Sequence, residues 1–462
     1  MKPGTGSGGG ATRIPAVILA AGAGTRLSRH HRTAPPKPLT PLLGLTLLER
    51  TILSLRAAGV EEFFVVLGHR ADEIRPRLAE WAKRYGVKIT PIENPEWGKG
   101  NGTSALTAAE HVGDRPFLLT MSDHLFEPAA VQRLLTAKKD GPFCYLLVDR
   151  RVKTVFDPED ATWVQSVDGK IVGIGKGLSR YNGVDTGLFL CHPILFPALR
   201  EAQAAGDFSL SGGMRRLAVA GRLQAVEIGD LFWLDVDTPA ALREARRRLL
   251  RGMSKPHEDG FISRFLNRPI STRISGFIVD LPWGLRLSPN MISLVSFFLV
   301  VAGAALFAVP GYIAGIIAGI LVQVGSIIDG CDGEVARLTH RASRFGAWFD
   351  TILDRYADLG VTIGVSWRAW STWPNPWVWI GGIAAFAGFI LASYAKKEYA
   401  LRYGEDVQSG IVERLIKRDL RLFAVFLGAV GNAPYLGLIA VGALSHLGVI
   451  RLLLTHRRSR SR

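Results

Sequence analysis

The chain has 462 residues, enough for two or three domains, with 48% hydrophobic residues and a formal net charge of +16. That apolar content is high for a purely soluble protein, and the basic excess suits nucleic acid, anionic lipid or phosphorylated substrates. No nucleic-acid motif is present and the basic residues crowd beside apolar runs, so nucleic acid gives way to membrane and phosphate. Residues 1–12 read as a flexible glycine-rich tail without the apolar core of a signal peptide. Cys144, Cys191 and Cys331 are widely scattered, with neither a disulfide framework nor zinc spacing, which fits a reducing cytosol.

Residues 13–245 alternate strand-like and helix-like stretches, as an α/β doubly wound sheet does. Ala16–Ala20 reads as a buried strand running into Ala21-Gly22-Ala23-Gly24-Thr25-Arg26-Leu27. A glycine-rich turn after a strand lets backbone N–H groups approach a phosphate closely. Pro36-Lys37-Pro38-Leu39 follows shortly after. Further strands are expected at Glu62–Leu67, Lys88–Ile92 and Phe117–Met121, the last running into Asp123. Asn94 to Ser104 opens a helix. Leu231–Asp235 is a second strand ending in acid, and alternation sends Asp235 and Asp237 to one face. Ligands of open α/β sheets gather at such carboxyl ends.

The pair Leu-Ala-Ala-Gly-x-Gly-Thr-Arg and Pro-Lys-Pro-Leu resembles the signature of sugar-phosphate nucleotidyltransferases. The resemblance implies that Leu19, Ala20, Ala21, Gly22 and Gly24 wrap the triphosphate, and that Arg26 and Lys37 neutralise charge on the rearranging phosphates. It implies Gly100, Asn101 and Ser104 near the base, and Lys176 on the acceptor phosphate within a region that includes Val184–Phe189. Asp123 is the implied metal ligand, completed by Asp235 or Asp237, with Mg²⁺ as the ion.

Residues 246–285 read as a linker and interfacial helix, because Phe261 to Ser271 mixes apolar and basic side chains. Residues 286–456 read as an all-α, six-helix transmembrane domain, and 457–462 as a basic tail. The apolar stretches fall at about 291–309, 311–328, 345–366, 376–395, 420–431 and 434–454. Lys396, Lys397, Arg402, Arg414, Lys417, Arg418 and Arg421 lie between the fourth and fifth, whereas the opposite connections hold only Arg368. The positive-inside rule then puts both termini and the acidic motif on the cytosolic side of the inner membrane.

That motif is Asp329-Gly-Cys-Asp332-Gly333-Glu-Val-Ala336-Arg337, followed by Gly346, Asp350 and Asp354. Carboxylates in a membrane segment are costly unless paired, wet or bound to metal. Asp350 and Asp354 share a helix face, and Asp329 and Asp332 share another, an oxygen-rich arrangement suited to hard divalent cations. All eight fixed positions match the CDP-alcohol phosphotransferase signature, which this half resembles. The resemblance implies metal on Asp329, Asp332, Asp350 and Asp354 (Mg²⁺, or Mn²⁺ as the alternative ion) and Asp354 as the base. It implies nucleotide contacts at Gly333, Ala336, Arg337 and Gly346, substrate-phosphate contacts at Arg418 and Arg421, and a homodimer through the membrane half.

The fusion resembles the bifunctional family that joins an inositol-1-phosphate cytidylyltransferase to a CDP-inositol:inositol-1-phosphate transferase. The implied partners are CTP, inositol 1-phosphate, CDP-inositol and the lipid bilayer. The implied product is the precursor of an inositol-based compatible solute. The alternative is a cytidylyltransferase fused to a phospholipid synthase with a lipid acceptor.

Overall fold

The computed structural model describes residues 14–28, 35–137, 141–253, 259–282, 287–403 and 417–459. The tail expected at 1–12, Arg414 of the basic connection and the final residues 460–462 lie outside the described residues. The chain divides into two compact units, Met1–Arg246 and Arg247–Arg462.

Strands of the first unit are β1 Ala16–Ala20, β2 Pro41–Leu42, β3 Leu45–Thr46, β4 Glu62–Leu67, β5 Lys88–Glu93, β6 Phe117–Met121 and β7 His124–Phe126. They continue as β8 Cys144–Asp149, β9 Trp163–Val167, β10 Lys170–Gly175, β11 Gly183–Cys191, β12 Leu223–Glu227 and β13 Trp233–Asp235. Nine of them form one sheet in the order β5-β4-β1-β6-β11-β8-β12-β10-β9. The β5-β4-β1-β6 part is parallel, as expected for strands alternating with helices. The sheet as a whole is mixed, because β11 runs antiparallel to β6 and to β8. A local cause is visible at β9–β10. Asp168 (φ 50°) and Gly169 (φ 77°) make a tight turn with both residues left-handed, which folds those strands back on each other.

Alternate residues of β1 enter opposite cores. Val17 and Leu19 join one apolar cluster, while Ala16, Ile18 and Ala20 join the other. The sheet is therefore covered on both faces, which explains its near-continuous apolar strands. Outside it, β13 pairs antiparallel with β7 so that Asp235 lies opposite His124. The Val236 amide donates to the Asp123 carbonyl at 3.1 Å, extending the ladder by one bond. All three cysteines are free and buried.

The second unit is helical. Arg268–Asp280 precedes the long helices Pro289–Phe307, Tyr312–Leu338, Arg344–Thr372, Pro376–Tyr403, Arg418–Val430 and Pro434–Ser459, here called first to sixth. Ser288 starts the first by accepting the Met291 amide at 3.3 Å, and Ser343 starts the third by accepting the Gly346 amide at 2.9 Å. Pro289–Phe307, Tyr312–Leu338, Pro376–Tyr403 and Pro434–Leu454 are long and apolar enough to cross a membrane. The third and fifth helices fall short of that standard for physical reasons. The third carries Asp350, Asp354 and Asp358 among several arginines, and the fifth has only 13 residues.

Val300, Ala304 and Phe307 of the first helix pack with Ala318 and Val322 of the second and with Val361 and Val365 of the third. Phe298, Ile313, Ile383 and Leu436 are more than half exposed, a face suited to hydrocarbon. The first and third helices touch backbone to backbone at Gly364, where an added Cβ would lie 2.9 Å from the Ala304 carbonyl carbon. Gly364→Leu is expected to force them apart at a cost of about 1–3 kcal/mol. A lowered thermal midpoint in detergent would register the change.

Candidate active sites

The first site forms beyond the carboxyl ends of β1 and β6. Leu19, Ala20 and Ala21 are buried, and the glycine turn follows with Gly22 exposed. Gly24 (φ +62°) lies directly against the Lys37 side chain, whose Cδ would sit 3.1 Å from an added Cβ. The turn and the Pro36–Leu39 segment are thereby packed together. The Lys37 ammonium ion-pairs with both Asp123 and Asp237. Arg26 pairs with Asp237 through one guanidinium nitrogen and with Asp160, at 2.6 Å, through the other. Asp160 also pairs with Lys176, so one carboxylate joins the residues expected on the donor and acceptor phosphates.

Both acids left open by the spacing reach this cluster. Asp235 lies with Asp123 and His124, and also with Asp160 and Asp237, each group offering ligand atoms within 4.8 Å of one another. The Asp235 Oδ1 atom is buried without a hydrogen-bond partner. Burial, with Asp123 and Asp237 adding repulsion, pushes the Asp235 carboxyl up to about 7. Burial alone would lower His124, but Asp235 and Asp123 outweigh it and push the imidazole up to about 9. Burial also pushes Asp185 up to about 6. Hard carboxylate oxygens, one of them unpartnered, fit a divalent cation such as magnesium. Gly100, Asn101 and Ser104 lie on the next helix start. There the Asn101 side chain accepts the Leu210 amide at 2.8 Å, and Ser104 accepts from Asn94 at 3.0 Å.

The second site is built where the second, third and fifth helices meet. Asp329, Asp350 and Asp354 bring carboxylate oxygens within 4.8 Å of one another, again a donor set that fits a hard divalent ion. Asp332 accepts a hydrogen bond from Ser293 and lies within hydrogen-bonding reach of Asp350. The Arg418 Nη1 atom bridges Asp329 at 3.0 Å and Asp354 at 2.6 Å. Its Nε faces Asp358 at 3.3 Å. Asp358 is buried and also takes Arg355 at 3.0 Å and Arg421 at 3.3 Å. Arg421 stacks over the Phe389 ring at 4.7 Å. Arg337 has Nε and Nη2 buried without hydrogen-bond partners, and Gly333 leaves its Nη1 room, 3.2 Å from where a Cβ would be. Ala336 and Gly346 are half-buried, on the second and third helices.

The comparisons with known proteins follow this division. The MobA-like NTP transferase domain matches residues 16–221, and the CDP-alcohol phosphatidyltransferase family matches residues 286–449. A "Bifunctional IPC transferase and DIPP synthase" of Rubrobacter xylanophilus is 39% identical over 450 residues, covering 97% of this chain and 98% of the relative. The chain belongs to the bifunctional IPC transferase and DIPP synthase family. A member from Thermococcus kodakarensis is 36% identical, with 89% of each chain covered. Among solved structures, the inositol-1-phosphate CTP transferase from T. maritima covers 50% of this chain and 92% of its own, with 29% identity and a TM-score of 0.45. This bifunctional IPC transferase and DIPP synthase family member is thus an enzyme with a nucleotidyltransferase unit and a CDP-alcohol phosphotransferase unit, and a membrane protein.

Several residues at the two sites of this family member carry no motif of their own. Asp160 sits in a loop between strands, and nothing in its neighbourhood marks it. Asp358 did have a signal, since it extends the Asp350–Asp354 spacing by another four residues along one helix face. Glu334 lies inside the motif at an unspecified position. It is fully buried and accepts from Arg268, Ser271 and Ser275 at 2.7, 2.7 and 2.6 Å.

Proposed function

We propose that the first unit joins CTP to inositol 1-phosphate, giving CDP-inositol and diphosphate, and that the second transfers from CDP-inositol to a second inositol 1-phosphate, releasing CMP. The observation that carries this reading is the full-length similarity to relatives bearing both activities in their names, over a chain whose two acid centres are each complete. The first product is then the second substrate.

In the first step a phosphate oxygen of inositol 1-phosphate attacks the α-phosphorus of CTP. The bond to the β-phosphate breaks and diphosphate leaves. The nucleophile is already anionic at neutral pH, so no general base is required. Lys37 and Arg26 stabilise charge developing on the phosphates. Lys176 receives the acceptor phosphate, and Leu19 to Gly24 enclose the triphosphate, with Gly100, Asn101 and Ser104 toward the base. Asp123, Asp235 and Asp237 would hold magnesium, which supplies charge neutralisation and orientation of the triphosphate.

In the second step an inositol hydroxyl attacks the phosphorus that bears the donor inositol, and CMP departs. A hydroxyl benefits from a base. Asp354 takes its proton. Asp329, Asp332 and Asp350, with Asp354, would hold magnesium or manganese, which neutralises the diphosphate. Gly333, Ala336 and Gly346 permit close approach of the nucleotide, with Arg337 beside it. Arg418 and Arg421 receive the acceptor phosphate.

The reading includes six helices in the inner membrane, with both termini and both centres cytosolic, and a homodimer through the membrane half. The third and fifth helices cross despite their charge, because Asp354 and Asp358 are paired with arginines inside the unit.

Purified protein incubated with CTP, Mg²⁺ and inositol 1-phosphate should yield CDP-inositol and then a water-soluble phosphodiester, both visible by phosphorus NMR. Chelation of the metal should stop both. A product extracted into organic solvent would instead support a lipid acceptor. Lys37→Met is expected to reduce diphosphate release by about 100-fold or more. CMP release from supplied CDP-inositol should stay unchanged, and parallel loss of both would count against separate centres.

A further inference from the structure

We infer that His124 is a positioning residue of the nucleotidyl-transfer site, its imidazole Nδ1–H holding the Asp123 carboxylate in the orientation the reaction uses. The inference rests on the reading of the first unit as a cytidylyltransferase. The ring is buried, with its Nδ1 2.9 Å from Asp123 Oδ1 and 4.0 Å from Asp235 Oδ1. It is the one imidazole among the described residues grouped with those carboxylates.

Three features fix the ring. The His124 backbone pairs with Asp235 across the β7–β13 ladder, and its carbonyl accepts from the Thr51 hydroxyl at 3.4 Å. The ring packs flat against β11 at Gly187, where an added Cβ would lie 2.9 Å from the imidazole Cγ and nearer still to its edge atoms. Gly187 also has φ +72°, a backbone state that side chains disfavour. The Asp185 carboxylate accepts the Gly187 amide at 2.7 Å and sets that bend. β11 is therefore shaped around the imidazole.

The consequence concerns Asp123. Its Oδ2 faces the Lys37 ammonium and its Oδ1 takes His124. Rotation about the terminal bond of an aspartate is soft. Two donors on opposite oxygens remove that freedom, so the carboxylate is oriented before nucleotide arrives. A histidine serving only to fill the core would need neither the polar contact to Asp123 nor the glycine opposite its ring.

The test separates volume from hydrogen bonding. Asn places an amide nitrogen where the imidazole Nδ1 lies, so His124→Asn keeps the donor, whereas His124→Ala removes it. Mn²⁺ affinity is measured by electron paramagnetic resonance on the full chain carrying Asp350→Asn and Asp354→Asn, which disables the membrane-half centre. His124→Ala and Gly187→Ala are expected to weaken Mn²⁺ binding by about tenfold or more, with His124→Asn within about threefold of its parent. Diphosphate release in the otherwise native chain should follow the same order. CMP release from supplied CDP-inositol should be unaffected by His124→Ala, showing that the chain is folded. Equal Mn²⁺ affinity in all three variants, or His124→Asn as weak as His124→Ala, would overturn the assignment. Absence of diphosphate release from the native chain would strike the cytidylyltransferase reading instead, and the Mn²⁺ series would still decide the role of His124.

Discussion

Asp354→Asn should lower CMP release from CDP-inositol by about 1000-fold, within the range general-base catalysis contributes. Asparagine keeps the size of the side chain and loses the basic oxygen. Asp354 is one of three carboxylates whose oxygens converge, and it shares the Arg418 guanidinium with Asp329. The substitution therefore removes a proton acceptor and a candidate metal ligand together. Diphosphate release from CTP should remain at the native level, because Asp123, Asp235 and Asp237 belong to a different compact unit. Measuring both products from one preparation gives the contrast directly. A variant that still released CMP at even a tenth of the native rate would leave Asp354 without the role assigned to it.

Glu334→Ala should be the most damaging single truncation in the helical unit, at about 3–5 kcal/mol. The carboxylate is inaccessible to solvent and takes hydrogen bonds from Arg268, Ser271 and Ser275. Removing it leaves a partly buried guanidinium short of a counter-charge and two buried hydroxyls without acceptors. Asp259 still faces Arg268 at 3.0 Å, which limits the damage. The tie lost is the one between helix Arg268–Asp280 and the helix carrying Asp329 and Asp332. The thermal midpoint in detergent should fall by roughly 6–20 °C for a unit of this size. Glu334→Gln, which keeps an acceptor for the serines, should fall less. An Ala variant with an unchanged midpoint would mean that solvent or lipid reaches this carboxylate.

Much of both centres was legible before any coordinates, for reasons that differ. The Asp350–Asp354 pair follows from helical geometry, since residues four apart must share a face. The placement of Asp123 follows from its position just past an apolar strand. Arg26 and Lys37 needed the family resemblance, because the segment between them is too irregular for periodicity to bring them together. Asp160 and His124 could not be found that way. Asp160 reaches Arg26 from a loop 134 residues away, and His124 meets Asp235 through a short ladder that hydropathy does not distinguish from a loop edge. The mixed sheet had the same cause: the direction of β11 is set by turns and partners distant in sequence. Six apolar stretches correspond to six long helices, yet hydropathy alone credits four. The shortfall on the third helix arises from the charges that make up the second centre.

The three thiols carry a practical consequence. Cys144 and Cys191 lie at 0% and 1% exposure in the first unit, and Cys331 at 0% in the second. A maleimide reagent finds no native target until a unit opens, so modification becomes a clock for that opening. Peptide mass analysis after timed labelling would read the two clocks separately, giving each unit's unfolding rate from the unmodified chain.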